Sequence, residues 1–183
     1  VQILSQKSEI EFFDHVVFAT HSDDTLKILA DPSKGEATAL GAIKYQPNQA
    51  VLHHDQNVMP KNRNCWASWV YTEDKKTSFN PIGLTYWMNS LQPIPESDPM
   101  FVTLNSKNKI DPYKIYDEAT FMHPVYDLPA LNAQKDLAEN NGKKNTWFCG
   151  AWMKNGFHED GLASAIDVVA KFSDKISVKI AAQ

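Results

Sequence analysis

The sequence predicts an α+β fold, in which a mixed, largely antiparallel sheet is flanked by strand and helix pieces of an incomplete α/β layer. Three observations lead to this prediction. The apolar run from Val16 to Thr20 is typical of a strand buried on both faces. Strand-like runs separated by turn residues fill the chain from Gln49 to Phe121. A short strand, a glycine-containing loop and an amphipathic helix then follow one another from Trp147 onwards.

Two helices are predicted after the first strand. Ser22 or Asp23 is placed to cap a short helix that runs through Leu29, and Asp31-Pro32 ends it because the residue before proline disfavours the α region. Ser33 and Glu36 have the spacing of a capping box. They predict a second helix whose apolar positions are Ala37, Leu40 and Ile43.

The middle section is predicted to be a sheet. Its strand-like runs are AVLHHD, CWASWVYT, IGLTYWMN, MFVTLN and KIYDEATF. Within the third run, alternation predicts one apolar face made of Ile82, Leu84, Tyr86 and Met88. The opposite face carries Gly83, Thr85 and Trp87, a large aromatic among small residues, and is expected to be able to line a pocket.

The last third is predicted to be helix, strand and helix. Asp127-Leu128-Pro129 starts a helix with proline in its first turn, and Gly142 is placed as its C-terminal cap. Trp147 to Cys149 form a short strand. After the loop, one apolar stripe at helical spacing is expected to face the core: Leu162, Ala165, Ile166, Val169 and Phe172.

Composition narrows the class of protein. A chain of 183 residues can bury a core without disulfides, and its two cysteines have no zinc-like spacing and favour a reducing compartment. The net charge of -4 gives no reason to expect nucleic acid as a partner. No apolar run reaches the length of a transmembrane helix, and the N-terminus lacks the regions of a signal peptide. A cytoplasmic location is therefore expected.

The loop that follows the last strand has the features of a ligand contact. Glycines allow a close approach of the backbone, and a helix N-terminus presents unpaired N–H groups. In open α/β sheets, ligands bind at the carboxyl ends of the strands. Glu159 and Asp160 would repel a phosphate in front of this helix and suit the role of capping residues. On these features alone, an ordinary capped strand–loop–helix turn remains an alternative.

Two long segments carry a resemblance to a known family. FCGAWMKNGFHEDGLASA resembles the C-terminal flavin-binding segment of bacterial FAD-dependent amine-oxidase-like oxidoreductases. FDHVVFATHSDDTLKIL, followed by GAIKYQPNQAVLHHD and CWASWVY, resembles segments that the same family carries in the same order. The resemblance covers essentially the whole chain. It implies an FAD-binding domain built from discontinuous pieces, with a sheet-based substrate domain inserted between them.

The resemblance also implies where the flavin would lie. Gly150, Ala151 and Trp152 would pass beside the ribityl and pyrophosphate region. The isoalloxazine would lie along the six residues Phe157, His158, Glu159, Asp160, Gly161 and Leu162. A helix N-terminus beside the O2 edge stabilises the negative charge of reduced flavin. Ala151 departs from the pattern, because many relatives have an acidic residue there.

The expected organisation follows from the same resemblance. Residues 1–32 and 145–183 would belong to the FAD-binding domain, and residues 33–144 to the substrate domain. No GxGxxG fingerprint occurs in the chain, and that element forms the pyrophosphate cradle in such proteins. We therefore expect a C-terminal fragment that lacks an N-terminal FAD domain and binds no FAD alone. Its strands Val16 to Phe18 and Trp147 to Cys149 are expected to pair with each other, with Val1 to Leu4, or with another copy of the chain, and the last alternative would give a homo-oligomer.

The expected activity is transfer of a hydride to FAD from an amine or from an apolar, for example fatty-acyl, small-molecule substrate. A non-catalytic small-molecule-binding or interaction module is the alternative. No catalytic residue and no metal site is predicted. His53 and His54 are adjacent strand residues and point to opposite faces. Cys149 has no visible base and is expected to pack, as are Trp66, Trp69, Tyr86 and Trp87.

Overall fold

The computed structural model describes residues 1–5, 9–73 and 83–181, and for residues 174–181 only the backbone. The fold is α+β, as predicted, with helices and mostly antiparallel strands. The chain divides into two compact units. Residues 1–45 and 124–183 form the first unit, and residues 46–123 form the second. No helix in the described part of the chain is both long and apolar enough to cross a membrane.

Within the described residues, the first unit is built from short strands and four helices. Its elements are β1 (Gln2–Leu4), β2 (Ile10–Phe12), β3 (Val16–Phe18), α1 (Ser22–Ile28), α2 (Lys34–Ala42), α3 (Leu128–Asn140), β9 (Thr146–Phe148) and α4 (His158–Ala181). β1 and β2 form an antiparallel hairpin, and β3 and β9 form a parallel pair. Apolar side chains of α2, α3, β9 and the following loop make one core: Ala39, Leu40, Ile43, Ala130, Ala133, Leu137, Phe148 and Trp152.

In the part of the second unit that the structure describes, five strands form one sheet in the order β5-β6-β7-β4-β8. Its strands are β4 (Lys44–His53), β5 (Trp69–Thr72), β6 (Gly83–Trp87), β7 (Phe101–Leu104) and β8 (Ile115–Val125). The first two residues of β4 and the last two residues of β8 belong to the first unit. The β5–β6, β6–β7 and β4–β7 pairs are antiparallel. All five strand-like runs of the sequence are therefore strands, as predicted.

The helix starts are explained by local hydrogen bonds. Ser33 caps α2, because its hydroxyl accepts from the Glu36 N–H while the Glu36 carboxylate accepts from the Ser33 N–H, which confirms the capping box. Asp127 caps α3 in the same position, accepting from the Ala130 N–H. The predicted cap of α1 is wrong. The helix starts at Ser22, its N-cap is His21, and no side chain caps it.

Gly142 ends α3 as predicted. The helix stops at Asn140, and Gly142 adopts φ +86°, a left-handed conformation that L side chains rarely take. The Gly142 N–H donates to the Thr146 carbonyl. A Cβ at Gly142 would collide with the ring of Trp147, which is 1% exposed. Glycine is therefore required here both for the turn and for the close approach of β9.

The unit boundaries differ from the expected ones at residues 32/33 and 144/145. Helices α2 and α3 belong to the first unit, not to the sheet. The physical reason is that α2 and α3 pack against each other, and Leu40 and Leu137 are fully buried in the core they share with β9. The order of elements along the sequence predicted that these helices belong with the sheet. In the structure their apolar faces pack against each other instead.

The two faces of β6 have the opposite roles to those expected. The face of Gly83, Thr85 and Trp87 is turned towards the core, where Thr85 is buried and Trp87 packs edge-on against Trp66 at 5.3 Å between ring centroids. This face therefore contributes to the core of the second unit. Leu84 and Tyr86 are half-buried on the other face. Ile82, which was assigned to that face, lies outside the described residues.

The apolar stripe predicted to bury α4 is mostly exposed. Leu162, Ile166 and Val169 are 56, 58 and 62% exposed. The buried face of α4 instead carries Ser164 and Val168, with Phe172 half-buried beside Trp147. The predicted face was wrong because serine counts as a polar residue in an apolar pattern, so the pattern did not include Ser164. In the structure the Ser164 hydroxyl is buried and hydrogen-bonded.

Candidate functional site

The candidate site lies at the carboxyl ends of the parallel strands β3 and β9. The Phe18 carbonyl accepts a hydrogen bond from the Cys149 N–H at 2.9 Å. Both strands therefore end together, and the segments that follow them, Ala19–His21 and Gly150–Phe157, start side by side. Ligands of open α/β sheets bind at this kind of edge. The sequence predicted the two strands and the loop, with the pairing of these strands with each other as one of three alternatives, and the structure shows that pairing.

The outer edge of β9 is closed by a side chain. The Asn141 amide accepts from the Phe148 N–H at 2.8 Å and donates to the Phe148 carbonyl at 2.8 Å. These are the two hydrogen bonds that a further strand would make. The opposite situation holds for β3. The backbone groups of Phe18 point towards β9, so those of Val17 point towards the other edge of β3. No described strand pairs with this edge, and the Val17 side chain is 51% exposed.

The loop after β9 is held in place from three sides. The Trp152 indole N–H donates to the Thr20 carbonyl at 2.9 Å and so ties the loop to the end of β3. The Gln134 amide in α3 donates to the carbonyls of Trp152 and Lys154 at 2.8 and 2.6 Å. Lys154 pairs with Asp167 of α4 at 2.9 Å. These contacts give the loop a defined shape and leave its outer surface free to contact a ligand.

Ser164 connects the loop to α4. Its hydroxyl accepts from the Gly150 N–H at 2.9 Å and donates to the Gly161 carbonyl at 2.7 Å. The residue is 4% exposed, and one hydroxyl satisfies two backbone groups at the turn from strand to helix. Sequence reasoning missed this role. The only available signal was a small polar residue inside the apolar segment GLASAI.

Glycines are required at two positions of the loop. Gly150 has φ +148°, and a Cβ there would lie 2.6 Å from the Trp152 indole nitrogen. Gly156 has φ +91°, and a Cβ there would lie 2.5 Å from the Tyr126 hydroxyl. Gly161 is different. It is a helical residue, and a Cβ there would meet nothing nearer than the Ala151 nitrogen at 3.9 Å. The protein itself therefore gives Gly161 no steric reason to be glycine.

The N-terminus of α4 keeps donors available. The Phe157 N–H is occupied, because the Asp160 carboxylate accepts from it at 3.0 Å, which supports the predicted capping role of Asp160. The Asp160 and Gly161 N–H groups donate to the Phe157 carbonyl. Within the described part of the chain, the N–H groups of His158 and Glu159 have no acceptor. Phe157 and Leu162 are 62 and 56% exposed beside them.

Two tyrosines at this end of the unit were missed by sequence reasoning. The Tyr45 hydroxyl accepts from the Ser22 N–H at 2.9 Å, and its ring stacks on His21 at 4.5 Å. Tyr126 lies against Gly156. Burial raises the pKa of Tyr126 to about 12, with smaller contributions from Tyr45 and Asp160. Burial also raises the pKa of Tyr45. Both phenols are therefore neutral hydrogen-bonding groups near pH 7.

Cys149 is a packing residue in this arrangement. It is 7% exposed, lies with Trp147 and Val168 in a small core, and burial raises the pKa of its thiol. Both features oppose the thiolate that a nucleophile or an attachment point for flavin needs. The histidines 53 and 54 have different surroundings. The His53 ring bonds to Thr103, while the His54 ring lies against Tyr116.

One cluster elsewhere in the unit has the residue types of a metal site. His21, Asp23 and Asp24 bring their ligand atoms within 4.8 Å of one another. Asp23 and Asp24 already pair with Lys27 at 3.3 and 2.8 Å, and their side chains are 42 and 52% exposed. Exposed acids at the start of a helix are common without an ion, so the cluster by itself supports no metal site.

A cavity of about 450 Å³ lies between α3 and α4. Its lining includes Phe148, Met153 and Ser164, and none of the residues 157–162 lines it. Met153 and Lys154 of the loop also line the cavity, but it shares no residue with the surface expected to contact the flavin.

No protein-family model matches the chain, and no curated protein is significantly similar to it.

Proposed function

We propose that this chain is the C-terminal portion of a flavin-dependent oxidoreductase, and that the Gly150–Leu162 segment contacts the cofactor. The observation that carries the proposal is the meeting of two parallel strand ends with a glycine-rich loop that leads directly into the N-terminus of a 24-residue helix. This arrangement is typical of cofactor sites in α/β proteins. The cofactor is FAD in this proposal, on the strength of the sequence resemblance.

The residues present fit one end of FAD. The free N–H groups of His158 and Glu159 suit an uncharged carbonyl edge that gains negative charge on reduction. Exposed Phe157 and Leu162 offer apolar contact to a flat ring. Glu159 and Asp160 oppose a phosphate at this position. When bound, FAD supplies the capacity to accept a hydride, and the role of this chain is to bind and orient the isoalloxazine.

The sequence contains no GxGxxG motif that would bind the pyrophosphate of FAD. The missing GxGxxG motif would supply the glycine turn and helix N-terminus that such a group requires. The edge of β3 at Val17, with which no described strand pairs, supports this part of the proposal. β3 and β9 have only three residues each, whereas parallel sheets that are covered on both faces usually contain more than two strands. We propose that further strands of an FAD domain pair at this edge.

The second unit is the proposed substrate domain. Its sheet carries a second apolar face on which Trp69 stacks edge-on against Tyr86 at 5.8 Å, and Tyr71 lies opposite Leu84. Trp69 and Tyr71 are 46 and 62% exposed. Such a face suits an apolar chain or an amine with an apolar body better than a charged substrate. The alternative function, a non-catalytic small-molecule-binding module, would use the same face without a flavin.

The first test is the absorbance spectrum of the purified full-length gene product that contains this chain. Flavin bands are expected, and substrate should bleach them. The isolated 183-residue chain should be colourless and should not retain FAD in equilibrium dialysis. A full-length protein without flavin would overturn the proposal in favour of the binding module. A yellow isolated chain would overturn the need for a missing domain.

The second test places the flavin on the loop. Gly161→Val should greatly lower flavin occupancy in the full-length protein, while the fold survives because a Cβ has room there. Gly35→Val in α2 is the matched control, since a Cβ there meets nothing within 4 Å, and it should keep full occupancy. Glu159→Gln should retain turnover. If Gly161→Val keeps flavin and Glu159→Gln abolishes turnover, the loop is a carboxylate site instead.

A further inference from the structure

Asparagine is followed by glycine at two places in the chain, Asn141-Gly142 and Asn155-Gly156. Asparagine is chemically labile in this context, because glycine has no Cβ to keep its backbone nitrogen away from the asparagine side chain. The glycine nitrogen attacks the side-chain carbonyl carbon, ammonia leaves and a cyclic succinimide forms. Water then opens the ring to aspartate or isoaspartate. The reaction needs an asparagine side chain that is free to turn towards the glycine nitrogen, so the fold decides which of the two sites reacts.

Asn141 is held in two hydrogen bonds that oppose this reaction. Its side-chain amide donates to the Phe148 carbonyl and accepts from the Phe148 N–H, both at 2.8 Å. Phe148 is 2% exposed, so water cannot readily replace these hydrogen bonds when they break. Attack on the Asn141 side chain would therefore leave two buried backbone groups of β9 without their partner.

Asn155 has no such restraint. It is exposed, and no described group of the chain forms a hydrogen bond with its side chain. The Gly156 N–H donates to the Ala151 carbonyl at 3.1 Å. The Gly142 N–H donates to the Thr146 carbonyl at 2.9 Å, so the attacking nitrogen is in a similar state at both sites. The difference between the two sites therefore lies in the asparagine side chain.

We propose that Asn155 is a site of spontaneous deamidation in the folded chain, and that Asn141 is protected from it. The reaction consumes one water, releases one ammonia and replaces a neutral amide by a carboxylate, so the net charge of -4 becomes more negative by one unit. The isoaspartate product also adds one carbon to the backbone just before Gly156, where the Tyr126 hydroxyl leaves no room for a side chain. The modification is independent of the flavin proposal, because it involves no cofactor.

The test is peptide mapping by mass spectrometry while the purified chain is incubated at mildly alkaline pH, which favours attack by the glycine nitrogen. Digestion after lysine, at slightly acidic pH to limit further reaction, separates the sites, because Lys143 ends the peptide of Asn141 and Lys154 precedes that of Asn155. Asn155 should deamidate faster than Asn141 by about tenfold or more, with isoaspartate in the product, since Asn141 must first lose two hydrogen bonds. Equal rates in the folded chain, or an unreacted Asn155, overturn the proposal.

Two controls separate the effect of the fold from that of the local sequence. In guanidinium chloride both asparagines are released from the structure, so the difference between their rates should largely disappear. A difference that persists in the unfolded chain means that the fold is not its cause and overturns the proposal. Asn155→Gln should abolish the mass gain in its peptide, because the longer glutamine side chain forms a ring with the glycine nitrogen far more slowly. A mass gain that remains in this variant contradicts the assignment to Asn155.

Discussion

The Trp152 indole donates a hydrogen bond to the Thr20 carbonyl across 132 positions of sequence, and this contact joins the ends of the two parallel strands. Trp152 is 3% exposed. Its ring also lies where a side chain on Gly150 would have to go. One buried tryptophan therefore fixes both the position of the loop and the identity of the residue that starts it.

Trp152→Phe should destabilise the first unit by about 1–3 kcal/mol. The substitution leaves the Thr20 carbonyl without its donor and removes ring volume from a buried position. Urea unfolding followed by circular dichroism measures the change. Trp69→Phe is the control for a generic loss of tryptophan, because Trp69 is 46% exposed, and it should cost less than about 0.5 kcal/mol. Equal effects of the two variants would contradict the role of the indole N–H.

Gly150→Ala and Gly35→Ala should have opposite effects on stability. Gly150 has a φ of +148° and no room for a Cβ, so alanine should cost about 1–3 kcal/mol. Gly35 is helical and faces open space, so alanine should stabilise by up to about 1 kcal/mol through its higher helix propensity. Thermal unfolding of both variants is the measurement. A tolerated Gly150→Ala would mean that the loop is looser than its contacts indicate.

His53 should make the stability depend on pH in the acid range. The residue is fully buried, its Nε2 bonds to Thr103 at 2.8 Å, and its Nδ1 accepts from the Asp55 N–H at 3.1 Å. Burial lowers its pKa from 6.5 to about 4, partly offset by the charge of Asp55. The neutral ring is therefore favoured in the folded state, whereas the unfolded chain binds a proton below about pH 6.5.

The sign follows from that difference. The contribution of His53 to the free energy of unfolding is fully present above pH 6.5 and is lost as the pH falls from 6.5 towards 4, by at most about 3 kcal/mol. Denaturant titrations across this window measure it. His53→Gln should be less stable near neutral pH and should show a flatter pH dependence. An unchanged slope in the variant would show that another group titrates.

The two cysteines should differ sharply in reactivity. Cys65 is exposed, whereas Cys149 is buried and its pKa is raised by burial. The Cys65 thiol should react quickly with a thiol reagent in the native protein, and the Cys149 thiol should react only after unfolding in urea. Cys65→Ser should remove the fast reaction. Rapid native labelling of Cys149 would contradict its role as a buried packing residue.

The elements that local sequence predicted are those whose signals are local. The Ser33–Glu36 capping box, the Asp127 cap and the Gly142 turn depend on residues within four positions of one another, and each was predicted. The alternating runs of the middle section predicted the sheet strands for the same reason. The sheet order and the pairing of β3 with β9 needed contacts that no short pattern contains.

The sequence by itself determined the fold class, the strands and most helix boundaries, because backbone propensity, capping and turn chemistry act over a few residues. Tertiary structure decided which faces are buried. It turned Thr85 and Trp87 of β6 inwards, left Ile166 of α4 exposed, and placed α2 beside α3. It also brought Thr20, Tyr126 and Ser164 to the loop. Burial depends on what packs against an element, and that information lies in distant parts of the chain.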